Sequence, residues 1–334
     1  MKILGIETSC DDTCVAIYDF KNKFIISSIS HHHDNININY GGIVPEMSSR
    51  EHMIYIDEIL IKLFKKSNLS IYDIDAIAYT AGPGMVGSLL VGATIATSLS
   101  YLTNIPLIAI NHIEAHLYSP FIENDIKIYY PFLGLLISGG NTQLIQVFEF
   151  GKYKILGKTL DDSIGNTFDK ISKLLNLNYP WGSNITILAK KGRSGKFLFP
   201  RPMIHSSCLN FSFSGLKTYV TKIINKYKYN KQKLSDIAKE FENSIFDSLI
   251  FKCKKAFYKT GYNRLVVSGG VSANKTLRKK LYKMKNNYSI LFPKLEFCTD
   301  NAVMIAYLGG LRFQERKKNV FNIFIKPKWN LNQL

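Results

Sequence analysis

Two well-separated stretches of this chain repeat one order of elements, and that repeat limits the fold more than any other feature. In the first, Ile3, Leu4 and Ile6 alternate with period two, Ser9-Cys10-Asp11-Asp12 turns the chain, and Cys14-Val15-Ala16-Ile17-Tyr18 resumes the strand pattern. Such a pattern is a β-hairpin with an acidic turn. A helix is expected from about Glu46 to Lys66, with Ile56, Ile59, Leu60, Leu63 and Phe64 on one face. Asp75-Ala76-Ile77-Ala78-Tyr79 then reads as a strand entering Ala81-Gly82-Pro83-Gly84-Met85-Val86-Gly87 and a helix to about Leu102. The second stretch restarts with Leu133-Gly134-Leu135-Leu136-Ile137, turns at Ser138-Gly139-Gly140-Asn141 and returns through Thr142 to Val147. Later, Arg264-Leu265-Val266-Val267-Ser268 enters Gly269-Gly270-Val271-Ser272-Ala273-Asn274 and a basic helix to about Lys285. Hairpin plus strand, glycine loop and helix, twice over, predicts an α/β chain of two related lobes with mixed sheets and flanking helices. We expect the lobes at residues 1–130 and 131–334, the second enlarged by an insertion around 160–260, with ligand in the cleft between them.

A chain of 334 residues, 46% hydrophobic, can bury the cores of two such lobes. The N-terminus has no apolar core of signal-peptide type, and no later stretch reads as about 18 apolar residues free of charge. The expectation is a cytoplasmic protein with no membrane partner. Five cysteines without a C-x-x-C pair fit a reducing compartment. The net charge of +18 is unevenly spread: residues 1–125 carry 7 Lys/Arg against 14 Asp/Glu, the remainder 36 against 11. A uniform coding bias would raise lysine in both parts, so this asymmetry points to a polyanionic partner, nucleic acid, on the second part.

Both hairpin turns and both glycine loops offer backbone N–H groups that could cradle phosphate. None matches G-x-x-x-x-G-K-[ST], and Gly82-Pro83-Gly84 is not followed by the acidic ribose partner of a dinucleotide site. His112 and His116 stand at i and i+4, about 6 Å apart on one helix face, a spacing suited to one metal ion. Glu114, two residues after His112, points away from that face, so a metallopeptidase lacks its general base. A third ligand has to come from elsewhere, and Asp300 in Cys298-Thr299-Asp300-Asn301-Ala302 is the candidate; an ordinary helix N-cap is its other reading.

Taken in order, Ile6-Glu7-Thr8-Ser9-Cys10-Asp11-Asp12-Thr13, Gly41-Gly42-Ile43-Val44-Pro45-Glu46, Thr80-Ala81-Gly82-Pro83-Gly84 and His112-x-x-x-His116 resemble successive signatures of the TsaD family. Phe211-Ser212-Phe213-Ser214-Gly215-Leu216-Lys217, the Gly269 to Asn274 run and Glu296-Phe297-Cys298-Thr299-Asp300-Asn301 continue the series over nearly the whole chain. The resemblance implies an actin-like (sugar kinase/Hsp70-type) fold. It also implies transfer of threonylcarbamoyl from threonylcarbamoyl-AMP to N6 of adenosine 37 in tRNAs reading ANN codons. By the same likeness His112, His116 and Asp300 hold one divalent metal ion, iron in this family, although the donor set would suit zinc too. Leu136, Ile137, Ser138, Gly139 and Gly140 are implied to line the donor phosphate, and Asp169, Gly182 and Asn274 to complete the nucleotide site. Asp11 and Asp12 face the same cleft as candidate proton acceptors. The implied partners are tRNA, a TsaB-like subunit and a TsaE-like ATPase. This chain has Asp12 where bacterial members carry Glu, Asn141 and Asn166 where they carry His and Glu, and Trp181 beside Gly182 in place of glycine. The competing reading is an actin-fold small-molecule kinase or ATPase.

Overall fold

The computed structural model describes residues 1–123, 127–314 and 323–334. In chain order, β1 (Lys2–Glu7), β2 (Asp12–Asp19) and β3 (Phe24–His32) lead to α1 (Asp34–Asn39) and α2 (Pro45–Ser67). Then come β4 (Ala76–Gly82), α3 (Val86–Thr103), β5 (Leu107–Asn111) and α4 (His112–Tyr118). The pattern restarts with β6 (Phe132–Ile137), β7 (Thr142–Glu149) and β8 (Lys152–Lys158). Four helices follow, α5 (Ile164–Leu174), α6 (Trp181–Lys190), α7 (Ser214–Lys226) and α8 (Lys231–Thr260). The chain ends through β9 (Arg264–Ser268), α9 (Lys275–Tyr282), β10 (Ser289–Leu291) and α10 (Ala302–Gln314).

The two sheets have the same strand order: β3-β2-β1-β4-β5 and β8-β7-β6-β9-β10. In each, the first three strands form an antiparallel meander and the last two run parallel to the central strand. Helices α5 to α8 lie between β8 and β9, where α1 and α2 lie between β3 and β4.

The chain divides into two compact units, Met1–Ile128 with Thr299–Leu334, and Tyr129–Cys298. Residues 299–334, assigned from the sequence to the second lobe, therefore belong to the first. The reason is α10, whose residues Ala302 to Gly310 are buried and which packs across β1, β4 and β2. Its approach to β1 requires Gly5: a Cβ there would stand 2.3 Å from the Ala302 carbonyl oxygen and 2.7 Å from the Ala306 nitrogen. This packing brings the residues just before α10, Asp300 among them, into the first unit.

Helix α3 corrects the membrane expectation in one respect. Its 18 residues carry no charge, and at a mean hydropathy of 1.4 it is the one described helix long and apolar enough to cross a bilayer. Small residues hid it from the reading of the sequence, since Gly, Ala, Ser and Thr break up its larger apolar side chains. Ala93 and Ala96 are buried in the core with β4 and α2.

Candidate functional site

The histidine pair is set by the end of β5. Asn111 closes that strand and caps α4, its Oδ1 accepting from the N–H groups of Ile113 at 2.9 Å and Glu114 at 3.1 Å. The cap satisfies two of the helix's unpaired amides and fixes the first turn, so His112 and His116 come one above the other with ring centroids 4.7 Å apart. Asp300 meets both: its Oδ1 lies 2.9 Å from His116 Nε2 and 3.5 Å from His112 Nε2. Asp300 is not the N-cap of α10. Asn301 does that work, its Oδ1 accepting from Met304 N at 2.9 Å, which leaves the Asp300 carboxylate for the histidines.

Sequence reasoning missed Glu7 as a participant. It closes the apolar strand β1, is buried, and its Oε2 lies 3.0 Å from His112 Nδ1. Ser9 N and Thr80 Oγ1 donate to the same carboxylate at 2.6 and 2.5 Å, and Ser9 Oγ lies 3.2 Å from His112 Nδ1. A lone acidic residue at the end of an otherwise apolar strand was the available signal. In the ion-free protein, burial works against a charged His112, but Glu7 and Asp300 outweigh it and hold the ring up to about 9. Burial pushes the two carboxylates up in turn, and His112 overcomes it, leaving both below the usual carboxylate range.

These residues fit a metal ion. One donor atom from each of His112, His116 and Asp300 lies within 4.8 Å of the others. Glu7 fixes His112 through Nδ1, leaving Nε2 as the donor, in the manner of carboxylate–histidine–metal triads. His116 Nδ1 is buried with no hydrogen-bond partner among the described residues. Glu114 is held away in an ion pair with Arg312 at 2.5 Å.

Asp11 ends the β1–β2 turn and Asp12 opens β2. Asp11 accepts from Asn37 Nδ2 at 2.7 Å, and Asp12 Oδ1 lies 2.9 Å from His32 Nδ1. Burial, with Asp11 close by, raises Asp12 to about 6 despite its bond to His32.

Of the two glycine loops and the Ser138–Asn141 turn, only the last leaves space. In the first unit the loop at Gly82 is covered: Gly84 N donates to Pro327 O at 3.2 Å, Met85 N to Ser9 O at 2.9 Å, and a Cβ at Gly82 would meet the Lys326 carbonyl. In the second unit Gly269, at a φ of +88°, presses on the Ile137 carbonyl. At Gly139 and Gly140 an added Cβ would meet nothing within 4 Å. Ser138 N donates to Asn141 O at 2.8 Å, and Asn141 N to Ser138 Oγ at 3.1 Å. Helix α5 begins against this turn, with Gly165 N donating to Ser138 O at 3.3 Å. Its positive N-terminal end therefore stands beside the open turn.

Asp169 lies on α5 and Gly182 at the start of α6, where a Cβ would come 3.5 Å from Asp169 Oδ1. Trp181 turns to Lys173, whose Nζ lies 4.0 Å from the ring centre, and to Tyr179. Asn274 is fully engaged in structure: Oδ1 caps α9, while Nδ2 donates to Thr186 Oγ1 at 2.9 Å and Glu242 Oε1 at 3.0 Å. Leu136 and Ile137 are fully buried strand residues whose backbones pair within the sheet, so they hold the turn in place from within. The Phe211–Lys217 run has a structural task that its sequence did not reveal. Ser212 Oγ, Phe213 N and Ser214 Oγ all donate to Asp161, and Lys217 Nζ pairs with Asp162 at 2.6 Å, fastening the segment that precedes α5.

The chain matches a family model described as "TsaD: tRNA N6-adenosine threonylcarbamoyltransferase" over residues 24–307. Among similar curated proteins, the tRNA N6-adenosine threonylcarbamoyltransferase of Buchnera aphidicola subsp. Schizaphis graminum (strain Sg) is 51% identical, over 100% of this chain and 99% of that one. The protein of the same name from Wigglesworthia glossinidia brevipalpis is 50% identical over 100% and 98%. Among solved structures, T. kodakarensis HypF superimposes with a TM-score of 0.65 at 14% identity, covering 94% of this chain and 48% of that one. The activator of the 2-hydroxyisocaproyl-CoA dehydratase from Clostridium difficile does so with a TM-score of 0.55 at 14% identity, covering 96% and 99%. At that identity the structures speak to the fold alone, which is the actin-like α/β class.

Proposed function

The chain belongs to the TsaD family of tRNA N6-adenosine threonylcarbamoyltransferases, and from that premise we propose how its own residues serve the transfer that forms t6A. The donor is threonylcarbamoyl-AMP and the acceptor is N6 of adenosine 37 in tRNAs reading ANN codons. His112, His116 and Asp300 hold one divalent metal ion, iron by the family likeness. The observation that carries this reading is the convergence of those three donors on a first histidine already oriented by buried Glu7. A bound ion supplies Lewis-acid polarisation of a carbonyl or phosphoryl oxygen.

The remaining steps fall to the chain itself. The backbone amides of Gly139 and Gly140, in the turn that Ser138 opens, with the start of α5, bind the donor's phosphate, supported by the open space over that turn. Asp169 and Gly182 flank the nucleotide, and Asn274 holds α6 and α9 in place around it. Asp12 accepts the proton from the attacking amine, since a carboxyl raised to about 6 is a stronger base than an ordinary one. Asp11, tied to Asn37, stands beside it and helps raise it.

A TsaB-like subunit and a TsaE-like ATPase complete the assembly, and a cytoplasmic location goes with this reading. Support for a protein partner comes from α2 and α3, which pack together and leave Met53, Ile54, Ile61, Val86 and Leu90 exposed. The kinase alternative is not favoured, since the relatives at about half identity over the full length share the transferase name. The test is reconstitution with threonylcarbamoyl-AMP and unmodified tRNA, reading t6A by mass spectrometry. Activity is expected with the TsaB-like and TsaE-like proteins present and lost in His112→Ala. Full turnover by this chain alone would refute the need for partners, and full activity of His112→Ala would refute the site.

A further inference from the structure

A second cluster of metal-ligating side chains lies in the first unit, outside the transfer chemistry. His31 is the last residue but one of β3 and His33 lies just past the strand's end, with their ring centroids 5.4 Å apart. Glu51 and His52 stand in the first half of α2. One donor atom from each of His31, His33 and Glu51 lies within 4.8 Å of the others. His31 Nε2 is 4.0 Å from Glu51 Oε2, and the His31 ring is held flat against Tyr55 at 3.7 Å between centroids.

Hydrogen bonding fixes which nitrogen of His33 is free. The Cys10 carbonyl oxygen can only accept, so His52 Nε2, 3.0 Å away, carries a proton. In a neutral ring His52 Nδ1 is then an acceptor, and it takes the Thr13 hydroxyl proton across 2.7 Å. With its proton so placed, Thr13 Oγ1 accepts from His33 Nε2 at 3.1 Å. That leaves His33 Nδ1 as a bare lone pair. The residue is 3% exposed, and this atom has no hydrogen-bond partner among the described residues.

A buried nitrogen lone pair without a proton to accept is what a metal ion would satisfy. We infer that His31, His33 and Glu51 form a second divalent-metal site, separate from His112, His116 and Asp300. Two imidazoles and one carboxylate suit zinc and the neighbouring first-row ions, with a fourth position left to water. His31 and Glu51 are partly exposed, so the ion enters from solvent while His33 anchors it from within. The outer shell is already built, since the Thr13–His52–Cys10 relay holds the His33 ring as such partners hold metal-bound histidines. The ion ties the end of β3 to α2 across residues 34–50, the segment that carries Gly41 to Glu46 and the Asn37 amide bonded to Asp11.

The inference does not depend on the transfer reading and is tested by counting metal. Full-length protein is stripped with chelator, dialysed against Zn²⁺ and measured by inductively coupled plasma mass spectrometry. Two equivalents are expected in the wild type, one in His31→Ala or Glu51→Gln, and one in His112→Ala/His116→Ala. Because His33 is buried and its replacement could disturb folding, the partly exposed His31 and Glu51 are the positions changed. Circular dichroism in metal-free buffer checks that each variant retains the wild-type fold. Zn²⁺ should also raise the melting temperature of the His112→Ala/His116→Ala chain and lose that effect when Glu51→Gln is added. A His112→Ala/His116→Ala protein that is folded and binds no zinc overturns the site, as does an equivalent that survives both His31→Ala and Glu51→Gln.

Discussion

At position 7 an acidic side chain ends an otherwise apolar strand, and its burial is offset by three donors, from Ser9, Thr80 and His112. The cost of desolvating that carboxylate is met only while His112 keeps its place. Removing the charge while keeping the shape, in Glu7→Gln, should therefore weaken metal binding by about 10- to 100-fold, as loss of outer-shell partners does, read by competition with a chelator. His112→Ala and His116→Ala should each lose one equivalent of metal, and unchanged content in both would remove the proposed centre. Asp12 gives a prediction about pH. Its folded pKa of about 6 lies above the ordinary aspartate value of 3.8, so between those values the folded chain holds a proton that the unfolded chain releases. Stability from this group is thus present below about 4 and falls as pH rises to about 6. A carboxylate acting as base works the other way, and the transfer rate should rise through the same interval. Asp12→Asn should abolish the fall in stability and remove the rate limb near 6, and an unchanged limb would assign the base elsewhere.

Among the elements, α10 has the most consequence for the proposed centre, because it settles which unit owns Asp300. The sequence shows the helix, but Gly5 in a strand pattern does not announce that a distant helix backbone will lie on it. Gly5→Ala puts a methyl group 2.3 Å from the Ala302 oxygen, so α10 must move, at a cost of about 1–3 kcal/mol for such overpacking. The urea midpoint should drop without change in slope, and metal occupancy should drop with it, since Asp300 precedes the displaced end. Gly140→Ala, where nothing stands within 4 Å, should leave the midpoint unchanged; a fall equal to that of Gly5→Ala would mean that close approach is not what makes Gly5 matter. The contrast also explains what was legible. Alternation and turn residues mark β1 with β2 and β6 with β7, because those signals are local. Whether a glycine loop stays open is decided by what crosses it. Lys326 and Pro327 close the first loop from the far end of the chain, and no pattern around Gly82 foretells that.

For the molecule as a whole, charge separates along the chain, with 36 Lys/Arg against 11 Asp/Glu after residue 125, and the structure refines which of those charges can meet tRNA. Lys190, Lys191, Arg193, Lys196 and Arg201 fall within twelve positions, and in a one-dimensional reading these five cations look alike as candidates for phosphate contact. In the fold they differ. Arg201 is bound to Glu240 at 2.7 Å and Asp247 at 3.0 Å, and Arg193 to Asp236 at 3.2 Å. Those guanidiniums are partly neutralised and brace α8. Lys190, Lys191 and Lys196 are exposed and enter no ion pair among the described residues. Phosphate contact by such lysines carries no sequence information, so it sets affinity and salt dependence while recognition of the target adenosine rests with the anticodon-loop shape. Each neutralised phosphate contributes roughly 0.7 to 0.9 to the slope of log affinity against log salt. Changing the three lysines to alanine should flatten that slope by about 2 to 3 and leave the melting temperature alone. Arg201→Ala should instead lower the melting temperature, because it leaves Glu240 without its partner, and change the slope little. A triple variant that binds tRNA with the wild-type slope would move the polyanion footprint to another part of the basic half, and an Arg201→Ala protein that melts normally but loses slope would return that residue to the tRNA surface.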